Sequence, residues 1–108
     1  MAVRAPKTYA GRFQEAQAQS PLEHEIASEQ ASALGRSGRL VAARLAAYRE
    51  AVASGEDHSK ELDQAVDAVY GFLIQRELLG LRDRNAIIRD YDIPRAILVR
   101  LGTASKRH

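Results

Sequence analysis

The chain has 108 residues, 45% of them hydrophobic and 28% charged, which fits one globular domain of ordinary soluble character. It contains no cysteine, which excludes disulfides, thiolate zinc sites, iron–sulfur clusters and cysteine nucleophiles. Its net charge of +2 is too small to imply a nucleic-acid or membrane partner on its own.

The charge is unevenly spread. Residues 1–19 carry three basic residues and one acid, a net +2. Residues 20–75 carry five and nine, a net −4, and residues 76–108 carry eight and four, a net +4. The last third is therefore a basic region on an acidic body. A face for an anionic partner is one reading of it, and an ordinary solvated surface is the other.

Residues 1–19 lack the apolar run of a secretory signal. Their Arg-containing, acid-poor composition is shared with transit peptides. They have too little apolar surface to offset the entropy of ordering, which predicts a disordered N-terminal tail. The longest nearly apolar stretch, Ala65 to Ile74, is interrupted by Asp67. It is about half as long as a membrane span requires. No membrane partner is expected, and a cytoplasmic location is.

Ser20-Pro21-Leu22-Glu23 reads as a helix start. Ser20 and Glu23 have the spacing of a capping box, and Pro21 falls where its missing N–H costs nothing. Apolar or small residues then recur every seven positions. One series is Ala27, Leu34, Val41 and Tyr48; the other is Ala31, Gly38, Leu45 and Val52. The phase does not slip at Gly35 or Gly38. This predicts one long helix over 21–53, with two helices meeting at Gly35–Gly38 as the alternative.

Gly55 predicts the stop of that helix, and Asp57 or Ser59 the cap of the next. Leu62, Val66, Val69 and Leu73 give the second helix its main stripe, over about 59–79. Ala65, Tyr70, Phe72 and Ile74 widen the apolar arc to roughly 200°, more than one neighbouring helix covers. Gly80 should end it, with Leu81 as the accompanying contact. Two short helices are expected next, at 84–91 capped by Asp83 and at 93–101 capped by Asp92. The second should stop before Gly102 and leave 103–108 as a disordered basic tail. No sustained period-two run occurs, so strands are not expected. The fold predicted is all-α: two long antiparallel helices and a C-terminal hairpin of two short ones, forming a single domain over 20–102.

Four sets of residues invite a chemical reading. Residues Ala86 to Leu98 resemble the helix-turn-helix of small bacterial and transposase-type DNA-binding domains in their hydrophobic spacing. The resemblance covers about 20 residues and implies nucleic-acid binding by the 82–101 segment. Two departures weaken it. Asp92 stands where the turn often has Gly, and residues 94–101 contain no Asn, Gln, Ser or Thr to read base edges. The contacts would fall to Arg82, Arg84, Arg89, Arg95 and Arg100, mainly on phosphates or another anionic partner.

Gly35-Arg36-Ser37-Gly38-Arg39 has the ingredients of an anion cradle. It lacks the preceding strand and the Gly-Lys-Ser/Thr ending of a phosphate loop. For catalysis, His24, His58 and His108 lie too far apart to form a helical metal pair. Asp63 and Asp67 share a helix face and have the spacing of an acid–base or chelating pair; two solvated acids are the plainer reading. Asp67 has a second pair of readings, buried against Tyr48 or Tyr70, or at the edge of the stripe. No enzyme activity, cofactor, metal or small-molecule ligand is expected. The long heptad helix and the over-wide arc together point to a coiled-coil-like homo-oligomer through the 21–53 and 59–79 helices. The expected role is a non-enzymatic, self-associating interaction module. A nucleic-acid-binding or regulatory protein is the alternative.

Overall fold

The computed structural model describes residues 20–106, with side chains through Gly102. The expected tail at 1–19 lies outside the described residues. Those described form four helices and no strand: α1 (Pro21–Ala53), α2 (Ser59–Leu78), α3 (Arg84–Asp90) and α4 (Arg95–Lys106). The protein is all-α. Helix α1 is one continuous helix of 33 residues, so Gly35 and Gly38 do not break it.

The chain divides into two units, residues 1–32 and 33–108. In the first, residues 20–32 are helical from Pro21 on and exposed at every position. The capping box opens the helix as its sequence predicts. The Glu23 N–H donates to Ser20 Oγ at 3.1 Å, and the Ser20 N–H donates to Glu23 Oε1 at 3.0 Å.

The second unit holds the core. Gly38 of α1 meets Phe72 of α2, the Arg44 guanidinium donates to Gln64, and Tyr48 meets His58. Contacts that climb one helix as they descend the other define an antiparallel pair. Between α1 and α2 lie Val41, Leu45, Tyr48, Ala65, Val69 and Leu73, all buried. The pairing then extends to α4, which packs on α2 and inserts Ile97 and Leu101. Ile87 and Ile93 close the cluster from α3 and the turn after it.

The seven-residue pattern holds for Val41, Tyr48, Gly38 and Leu45 and fails at both ends. Ala27 and Ala31 are exposed, and Val52 is 43% exposed while its neighbour Ala51 is buried.

Three helices end in the same way. After α1, Gly55 has φ +76, its N–H donates to Val52, and the Glu56 N–H donates to Ala51. After α2, Gly80 has φ +85, its N–H donates to Glu77, and the Leu81 N–H donates to Arg76. After α3 the residue in that place is Asp92, with φ +51; its N–H donates to Arg89 and the Ile93 N–H donates to Ile88. Each is the double hydrogen bond that satisfies the last carbonyls of a helix. Aspartate tolerates the left-handed conformation better than most residues, because its short polar side chain bonds locally.

Two expected caps are corrected. Asp83 sits at the start of α3 but makes no side-chain cap hydrogen bond, because Arg76 takes its carboxylate. His58 occupies the cap position of α2, again without a side-chain cap bond. Asp57 instead accepts from the Ser59 N–H and hydroxyl at 3.1 and 2.8 Å. Helix α4 is corrected at both ends. It starts at Arg95 rather than residue 93, and it continues through Gly102 to Lys106. A single helical Gly costs only about 1 kcal/mol relative to Ala and does not by itself stop a helix. Of the expected tail at 103–108, residues 103–106 are thus helical in backbone, and 107–108 lie outside the described residues.

Candidate functional site

The α3–α4 hairpin is fixed by side chains from both long helices. Arg76 near the end of α2 forms a two-pronged ion pair with Asp83, with Nε at 2.9 Å from Oδ1 and Nη2 on Oδ2. The same guanidinium lies 5.5 Å from the centre of the Phe72 ring. Its hydrogen bonds hold the Asp83 carboxyl below the usual carboxylate range, and Asp83 in turn raises the Arg76 pKa. The pair spans the Gly80 turn, so it ties the start of α3 to the end of α2.

The second fastening is at Tyr91. Its ring stands edge-on to Phe72 at 5.7 Å between centroids. Its hydroxyl fills the space above Gly38, where a Cβ would lie 2.8 Å away. Arg49 of α1 donates to the backbone carbonyls of Tyr91 and Asp92 at 3.2 and 2.5 Å. The turn of the helix-turn-helix-like segment is therefore clamped from α1.

Helix α4 buries Ile97 and Leu101 and turns Arg95, Ala96, Val99 and Arg100 outward. The five arginines expected to meet an anionic partner are not equivalent. Arg100 pairs with Asp63 of α2 at 2.9 Å. Arg84 pairs with Glu77 at 3.5 Å, and Arg89 with Asp90 at 3.9 Å. Arg82 and Arg95 are exposed and form no ion pair among the described residues. Exposed pairs of this kind contribute about 0–1 kcal/mol each, but they interleave acid with the basic charge.

The other candidate groups disperse. Gly35 to Arg39 lie within continuous α1, where backbone N–H groups are spent on the helix rather than turned to an anion. Asp63 is engaged with Arg100, and Asp67 is exposed at the edge of the α2 stripe, not buried against a tyrosine. His58 donates from Nδ1 to the Glu56 carbonyl at 3.1 Å and packs on Tyr48. His24 is exposed on α1, and His108 lies outside the described residues. Among the described residues no three acidic or histidine side chains converge as metal ligands. No helix among them is long and apolar enough to cross a membrane.

The residues the sequence did not single out are Arg49 and Arg76. Only Arg76 and Asp83 had a local signal, being opposite charges on either side of the Gly80 turn.

Apolar side chains remain on the surface. Leu22 and Ile26 are 64% and 50% exposed in the first unit. In the second, Leu40 is 47% and Leu78 82% exposed. An open groove of about 240 Å³ runs between α1 and α2, lined by Leu40, Arg44, Gln64, Asp67 and Ala68. Around Leu40, the residues four positions away on α1 are Arg36 and Arg44.

No curated protein and no solved structure matches this chain. A family model matches residues 2–108, nearly the whole length, and the chain belongs to that family, described as a family of unknown function, DUF6665.

Proposed function

We propose that this chain is a non-enzymatic, self-associating interaction module of the cytoplasm, built on its two long helices. The observation that carries the reading is the exposure of residues 20–32. They form more than three turns of helix with no side chain buried, and they present Leu22 and Ile26 to water. Helical segments of this length draw little stability from propensity, and most helix stability in proteins comes from packing an apolar face. A partner surface supplies what the described residues do not.

The test is sedimentation velocity across a concentration series. Association should rise with protein concentration, and replacing Leu22 and Ile26 by Gln should weaken it. A chain that stays monomeric at the highest concentration contradicts the proposal.

A further inference from the structure

We infer that residues 20–32 of one chain dock in the α1–α2 groove of a second copy. The inference rests on the self-association reading and names the surfaces that meet. The two parts of α1 differ in charge. Residues 20–32 carry Glu23, Glu25 and Glu29 and no Lys or Arg. Residues 33–49 carry Arg36, Arg39, Arg44 and Arg49 and no acid. One continuous helix therefore has an acidic first part and a basic second part. Two copies of α1 laid antiparallel set acid against base twice, which is the reciprocal contact of a two-fold dimer.

The side chains have the spacing to do this. Leu22, Glu25, Ile26 and Glu29 recur at i, i+3, i+4 and i+7, the anchor pattern of a helix lying in a groove. All four are exposed. On the receiving side Leu40 stands between Arg36 and Arg44 on one row of α1. Arg44 is steadied by its 3.0 Å hydrogen bond to Gln64, which holds the guanidinium at the groove wall. Asp67 lines the α2 side, so an acidic segment is drawn to the α1 side of the groove. Ile26 then covers Leu40 while Glu25 and Glu29 meet the arginines.

The experiment measures the dimer dissociation constant of the full chain and of charge-reversed variants. Glu25→Arg with Glu29→Arg should raise it on the order of tenfold or more, because two attractive contacts become repulsive in each half. Arg36→Glu with Arg44→Glu should do the same, and all four changes together should restore the dimer. The arm variants alter only exposed residues, and circular dichroism with a thermal melt checks that the receiving variants stay folded.

The chain has no cysteine, so single variants report contacts without interference. Ile26→Cys chains mixed with Leu40→Cys chains should form a mixed disulfide dimer, and neither should cross-link efficiently alone. A monomeric wild-type chain removes the self-association reading itself. A dimer insensitive to the charge reversals, or one cross-linked through Ile26→Cys alone, keeps that reading and overturns this interface. A dimer lost on deleting residues 1–19 but indifferent to Glu25 and Glu29 assigns the contact to that segment and overturns the inference as well.

Discussion

The Tyr91 hydroxyl occupies the space that a side chain at Gly38 would need, 2.8 Å from where the Cβ would lie. Position 38 is thus a packing glycine, whereas the position 35 Cβ would meet only Arg39 Nη1, at 3.5 Å. Gly35→Ala should stabilise the protein by up to about 1 kcal/mol, through helix propensity. Gly38→Ala gains the same propensity but must displace Tyr91, an overpacking cost of about 1–3 kcal/mol. It should therefore be clearly less stable than Gly35→Ala. Adding Tyr91→Phe removes the obstructing oxygen and should recover the difference, as read from urea unfolding of the three variants and the wild type.

Asp92 supplies the left-handed residue that Gly55 and Gly80 supply at the other two helix ends. Asp92→Gly should leave stability unchanged or raise it by less than about 1 kcal/mol, relieved backbone strain being offset by a freer unfolded chain. Asp92→Val should lower it by more than about 1 kcal/mol, since a β-branched side chain disfavours this conformation. Equal stability of the Gly and Val variants would remove the strain argument.

The carboxyls of Asp83 and Asp57 both lie below their ordinary value. Hydrogen bonds from Arg76 and from Ser59 respectively favour their charged forms. A carboxylate with a depressed folded-state pKa contributes its full stability above its unfolded value of about 3.9. The contribution is lost as pH falls through the folded-state value. Acid unfolding should accordingly be less steep for Asp83→Asn than for the wild type, with the two curves parallel near neutrality. Steeper acid sensitivity in Asp83→Asn would contradict this assignment.

Leu73 and Ile97 belong to the same buried cluster, at 2% and 0% exposure. Truncating either to Ala should cost about 2–5 kcal/mol in chemical denaturation. Truncation of Leu78, which is 82% exposed, should change the stability of the isolated chain little.

Much of the fold was legible because its signals are local. Ser20 and Glu23 lie three residues apart, and Gly55 and Gly80 end their helices within a turn; such patterns need no tertiary knowledge. The core face of α1 was legible from seven-residue spacing only over the span where α2 covers it. Val52 keeps the spacing yet is exposed while Ala51 is buried, and Ala27 and Ala31 stand where nothing described buries them. Asp83 was misplaced as a cap because its carboxylate goes to a guanidinium seven residues earlier. The clamp of Arg49 on the Tyr91 and Asp92 carbonyls joins residues more than forty apart and left no local trace. The five C-terminal arginines were legible as charges, but their pairing with Asp63, Glu77 and Asp90 was not.

The proposal that this chain is a self-associating module is tested most directly by light scattering of the 108-residue chain at dilute and concentrated loading. The account predicts a mass of twice the 11.9 kDa chain at the higher loading, falling toward one chain on dilution or on replacing Leu22 and Ile26 by Gln. A mass of 11.9 kDa at every concentration would contradict it.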